Sequence, residues 1–145
     1  MALRLPLLPR WMRWTAVLVV AALIFYLSLL TVPPAEPVLE PPPLLPLDKW
    51  RHFLAYAAFG LSLAYATAEW ETDAKLLALG VIGTTVLYGF GIEVGQAFLP
   101  ERYFGLGDAW ANALGGLLVV PWYLLRPYVT FSPAVTWLRD LASGA

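Results

Sequence analysis

TAVLVVAALIFYLSLLTV, residues 15–32, is an apolar run without a single charge, and its reading decides the fold. At 1.5 Å per residue a helix of this length rises about 27 Å, close to the roughly 30 Å hydrocarbon thickness of a bilayer. A secretory signal peptide has a shorter apolar core, about 7–15 residues, followed by a small-residue cleavage site. Pro33-Pro34-Ala35 is a poor cleavage site, so the run reads as a retained membrane helix.

The rest of the chain agrees. Its 145 residues are 60% hydrophobic and 13% charged, whereas charged residues make up about 25% of a soluble domain. Mean hydropathy is +0.69. The length leaves room for roughly four spans of about 20 residues and no separate soluble domain. The net charge of −1 offers no basic footprint for nucleic acid, so none is expected as a partner. There is no cysteine, which removes disulfides, thiolate metal sites and a cysteine nucleophile.

Hydropathy and breakers predict an all-α integral membrane protein, a bundle of four transmembrane helices over residues 15–32, 48–68, 76–99 and 106–125. Arg4, Arg10 and Arg13, interleaved with Trp11 and Trp14, read as an interfacial lead-in at headgroup level. Residues 33–46 hold seven of the thirteen prolines and form an extended outer loop, either a spacer or a partner-binding strap. Gly91-x-x-x-Gly95 has the spacing of close helix packing. Pro121 predicts a kink late in the fourth span. A short interfacial helix follows Ser132-Pro133, with Val135, Leu138 and Leu141 at helical spacing.

Orientation follows from the cations. With the N-terminus inside, the cytoplasmic side carries six, Arg4, Arg10, Arg13, Lys75, Arg126 and Arg139, against Lys49, Arg51 and Arg102 outside. An excess of Lys and Arg marks the cytoplasmic side. The expectation is a multi-pass protein of the cytoplasmic membrane with both termini inside.

Polar residues then fall on one face of that membrane. Asp48, His52 and Tyr56 share a stripe of the second segment, with Lys49 beside them. Glu93 and Gln96 lie near the end of the third, with Gly89 on their stripe, and Asp108 and Asn112 open the fourth. A charged side chain in a spanning helix costs about 2.5–3.5 kcal/mol at the centre on insertion scales. The pattern predicts an outer-leaflet polar pocket lined by Asp48, Lys49, His52, Tyr56, Glu93, Gln96, Arg102, Asp108 and Asn112. Asp48 and Asp108 also stand where helix N-caps would stand. Glu93, six residues below the predicted helix end, has neither cap nor snorkel to explain it and needs a cation, a proton or a ligand.

Absences narrow the chemistry. There is no Gly-x-Ser-x-Gly elbow and no His-Glu-x-x-His, and the single histidine excludes sites that need two. A divalent site built from Asp48, Glu93 and Asp108 is chemically open, but Lys49 and Arg102 would oppose it, so no metal or cofactor is expected. An anionic headgroup suits the mixture better, with cations and helix N-termini holding a phosphate and the carboxylates and amides holding hydroxyls.

Read together, Asp48-Lys49-x-x-His52-Phe53-x-x-Tyr56, Glu93-x-x-Gln96, Pro100-x-Arg102 and Asp108-x-x-x-Asn112-x-x-Gly115 resemble the VanZ-like family. The resemblance covers about residues 48–120. It implies a small multi-helix protein of a prokaryotic cytoplasmic membrane, residues 1–145 forming one such domain. The family's namesake is associated with reduced susceptibility to the glycopeptide teicoplanin. No reaction is implied, and whether the chain is an enzyme stays open.

Three functions compete at this point. The cluster binds or acts on an envelope lipid or its phosphate-linked headgroup, it locks the helices of a scaffolding protein together, or Glu93 relays ions or protons in a transporter. A transporter needs polar side chains continuing toward the inner face, and the inner halves of these segments read as nearly free of them.

Overall fold

The computed structural model describes residues 3–32, 46–100 and 105–143. The outer proline-rich loop and Arg102 therefore lie outside the described residues.

The chain is built on helices. α1 runs Arg10–Phe25 and continues through a π-helical turn at Tyr26–Leu30. α2 spans Leu47–Ala66, α3 Ala74–Gln96, α4 Leu106–Leu117 and α5 Val120–Leu125. A strand at each end completes it, β1 over Leu3–Leu7 and β2 over Val129–Pro133, and α6 closes the chain over Ala134–Ser143.

Two of these elements, Arg10–Leu30 and Ala74–Gln96, are long and apolar enough to cross a membrane, and most of their surface faces outward. Leu18, Leu23, Leu76, Leu79, Leu87 and Phe90 are all exposed. Water-soluble proteins seldom leave so much contiguous apolar surface uncovered. The other two predicted spans meet a stricter standard less well, for visible reasons. α2 has the length but opens with Asp48, Lys49 and Arg51. The fourth segment is broken at Leu118-Val119, and Pro121 stands in the first turn of the new helix α5 instead of kinking a continuous one. Proline is tolerated there because first-turn N–H groups have no intrahelical acceptor.

The lead-in and the tail depart furthest from expectation. Residues Leu3–Leu7 pair in parallel with Val129–Pro133, Leu3 opposite Val129 and Leu7 opposite Pro133. The interfacial C-terminal helix begins only after that strand. Trp137 Nε1 donates to the Arg4 carbonyl at 3.2 Å and Arg4 lies 3.4 Å from Asp140, tying α6 to β1.

Helix packing rests on Gly115 and Gly89 more than on the Gly91-x-x-x-Gly95 pair. α2 and α4 approach so closely that a Cβ on Gly115 would collide with the Phe53 carbonyl oxygen. At Gly89 of α3 a Cβ would lie 2.9 Å from the Tyr56 ring and 3.1 Å from Asn112 Cβ. Gly91 faces open space with nothing within 4 Å, and Gly95 meets only the Leu29 side chain. The Gly91–Gly95 pair is thus not a helix–helix contact of the usual kind, whereas Gly89 is.

Alternating chain direction gathers the C-terminal end of α1, the start of α2, the end of α3 and the start of α4 at one end. The opposite end carries a polar assembly that sequence reading missed. Arg13 is 2% exposed. Its guanidinium donates to the Tyr65 and Ala66 carbonyls at 3.2 and 3.0 Å and to Glu69 at 2.6 Å. Arg126 donates to the Ala68 carbonyl and lies over the Phe131 ring at 5.3 Å. The last carbonyls of a helix lack intrahelical partners, and these arginines supply them. Arg13 is therefore a buried structural residue, not an interfacial anchor. Thr67 and Thr85 are also buried, so the parts of these helices away from Asp48 and Asp108 are less apolar than expected. Both hydroxyls bond backbone four residues earlier, at Leu63 and Val81, and neither opens a path for protons.

Candidate functional site

The first two turns of α2, the last turn of α3 and the first two turns of α4 bring six predicted residues together. Asp48 and Asp108 each sit inside a first turn, where a negative charge opposes the positive helix end. Neither is itself the cap, since Pro46 and Gly105 hold those positions. Lys49 links the two helices, with Nζ 2.6 Å from Asp48 Oδ2 and 2.6 Å from Asp108 Oδ1. Two of its three N–H donors are thereby committed to carboxylates.

Glu93 is wholly buried. Because α3 ends at Gln96, Glu93 lies in its last turn, nearer the helix end than residue 99 would have placed it. Its burial comes from coverage. Asn112 Nδ2 donates to Oε1 at 3.2 Å, and the Gly105 backbone N–H donates to Oε2 at 3.3 Å. Position 105 has no room for a side chain, because a Cβ there would run into the Asp108 carboxylate.

His52 stands at the centre. Nδ1 lies 2.9 Å from Asn112 Oδ1 and 3.7 Å from Glu93 Oε1, while Nε2 lies 3.6 Å from Asp108 Oδ1. The Asn112 amide hydrogens point at a carboxylate, so its oxygen faces His52. An amide oxygen only accepts, and His52 Nδ1 must donate. One asparagine thus reads both ends of the site and sets the histidine tautomer.

Tyr56 lies beneath, 1% exposed, its ring 6.4 Å from that of Tyr88 and its hydroxyl without a hydrogen-bond partner among the described residues. Tyr88 reaches away, donating to the Ala21 carbonyl at 2.7 Å.

Gln96 is not part of the cluster. Its Nε2 donates to the Ser28 carbonyl at 3.1 Å, away from the pocket lining the helical stripe predicts for it. Ser28 lies in the π-helical turn of α1, where the altered backbone ladder leaves a carbonyl for a neighbour. Gln96 therefore joins α3 to α1. Only the presence of a π turn would have signalled this. Arg102, the remaining predicted member, lies outside the described residues.

Among the described residues of the cluster, three carboxylates face one ammonium and one imidazole. The assembly can accept hydroxyl hydrogens, hold a cation, or exchange a proton at His52.

An apolar, lipid-suited helical frame carrying such a cluster on three helices defines a small helical membrane protein. The VanZ/LLP1 family model matches residues 5–126, and the chain belongs to that family. The match reaches beyond the polar motifs to take in α1 and most of β1. No curated protein and no solved structure matches the chain.

Proposed function

We propose that the protein crosses a prokaryotic cytoplasmic membrane four times, with both termini inside. Its outer-leaflet cluster binds, or acts on, the phosphate-linked headgroup of an envelope lipid. The observation that carries this reading is Glu93. A fully buried carboxylate is held on both oxygens, at one end of a bundle whose flanks are apolar, beside a histidine and a second helix's aspartate. Ionisable groups inside membrane helices are retained where they serve a ligand, an ion or a partner. The fourth crossing is made by α4 and α5 together, and α2 crosses with its charged turn at the headgroup level. Orientation is supported by Arg4, Arg13 and Arg126, all at the end opposite the cluster.

Within the cluster, Lys49 has one uncommitted donor for a phosphate oxygen. Asp48 and Asp108 are partly open to accept sugar or glycerol hydroxyls. Both kinds of contact are charge-assisted and about twice as strong as neutral ones. Transport is less well supported, because the buried threonines toward the other end are spent on backbone carbonyls.

Native mass spectrometry of gently solubilised protein tests the reading. It predicts a retained phosphate-containing lipid that survives stepwise collisional activation. Folded protein that flies bare under conditions retaining nonspecific annular lipid on other membrane proteins would contradict it. Orientation has its own test, since the chain has no cysteine. Glu71→Cys should react only with thiol reagent from the cytoplasmic side, and Trp50→Cys only from outside.

A further inference from the structure

We propose that His52, Glu93 and Asp108 bind one divalent cation of the manganese or zinc type, through one imidazole nitrogen and two carboxylates. The proposal deepens the headgroup reading, on which its biological use rests, because such a cation would bridge a lipid phosphate to an acidic site.

The argument starts from Asn112. Its amide nitrogen is committed to Glu93 and its oxygen to His52 Nδ1. With Nδ1 carrying the proton, Nε2 of the neutral ring presents a lone pair. That lone pair faces Asp108 Oδ1 across 3.6 Å, beyond hydrogen-bond range. Asp108 Oδ1 already holds Lys49 Nζ at 2.6 Å, so a metal ion taken up beside Nε2 would share or displace that ammonium. One ligand atom from each of His52, Glu93 and Asp108 lies within 4.8 Å of the others. Metal–ligand bonds of about 2.0–2.2 Å place ligand atoms roughly 3–4 Å apart, so Glu93, which approaches Nδ1 at 3.7 Å, has to turn its carboxylate toward Nε2 for one ion to reach all three.

Charge and a second buried group point the same way. Among the described residues of the cluster the carboxylates outnumber the one ammonium, an excess that favours a cation. The Tyr56 ring stands with Asn112 against Gly89, and its buried hydroxyl has no hydrogen-bond partner among the described residues, which leaves it available to a ligand or metal-bound water. Lys49, which the sequence suggested would repel a metal, is clamped by Asp48 as well as Asp108. It can keep Asp48 when Asp108 turns to a cation. The Asn112 contact to Nδ1 is the outer-sphere hydrogen bond that metal-binding histidines use to fix their ring. One nitrogen with two carboxylates lies between the all-oxygen sets preferred by calcium and magnesium and the nitrogen- and sulfur-rich sets of softer ions.

The test uses the full chain in detergent, stripped with EDTA and titrated with Mn2+ while the free-ion electron paramagnetic resonance signal is followed. The expected result is one equivalent bound, displaced by Zn2+. Asp108→Asn and His52→Gln should each weaken binding at least about tenfold at unchanged melting temperature. Folded wild-type protein that leaves Mn2+ and Zn2+ free at millimolar concentration overturns the proposal. So does binding that both variants leave intact. Native mass spectra with and without EDTA separate this from the headgroup reading. Lipid held by metal-free protein keeps that reading when the cation site fails, and metal held by lipid-free protein keeps the cation site when the headgroup reading fails.

Discussion

At one end of the bundle Arg13 is buried among backbone carbonyls, and at the other Glu93 is buried among side chains. Arg13 and Arg126 finish a helix. Their donors go to Tyr65, Ala66 and Ala68, carbonyls at and just beyond the end of α2, with Glu69 closing the pair. Both terminal guanidinium nitrogens of Arg13 go to the fold itself, while its Nε is buried without a hydrogen-bond partner among the described residues. The other end holds the opposite balance. Asp48, Glu93 and Asp108 outnumber Lys49, and a histidine nitrogen faces a carboxylate without a bond. The contrast separates a structural lock from a site with unspent chemistry, although both bury charge.

The comparison breaks first, and hardest, at Arg13. Arg13→Met leaves two helix-end carbonyls without their donor, at about 1–3 kcal/mol for each buried group left unsatisfied, while half-exposed Glu69 can turn to water. Thermal unfolding in detergent should show the loss, with Arg13→Lys recovering part of it. Gly115→Ala comes next. The added methyl meets the Phe53 carbonyl, and overpacking of this kind costs about 1–3 kcal/mol. It should lower the melting temperature and loosen the α2–α4 face that carries half of the cluster. Lys49→Gln should matter less. The ion pairs are partly exposed, and such pairs contribute about 0–1 kcal/mol. Gly91→Ala should be the mildest, within about 0.5 kcal/mol of neutral, because its Cβ meets nothing. A large loss there, measured in the same unfolding assay, would mean that Gly91 packs against a second copy of the chain.

Much of this architecture was legible beforehand, for particular reasons. Helical spacing along Asp48-His52 and Asp108-Asn112, with chain reversal between apolar segments, is enough to foresee which side chains meet. What they bind is a different question, and spacing does not answer it. Gln96 went astray because its direction depends on a π turn in α1, and no local pattern announces one. Arg13 was misplaced because an arginine beside tryptophans reads as an interfacial anchor unless the carbonyls it will meet, more than fifty residues away, are known. The β1–β2 pair was hidden for the same reason. Each strand is five residues long, each contains a proline, and they pair across nearly the whole chain.

Glu93→Gln, read twice on the same preparation, tests the central claim most directly. Glutamine keeps the size of the side chain and an oxygen to accept from Asn112 or Gly105, but removes the charge. The account predicts a melting temperature within a few degrees of wild type, together with loss of the co-purifying lipid in native mass spectra. Loss of folded protein, or a stable variant that holds the same lipid as wild type, would contradict it.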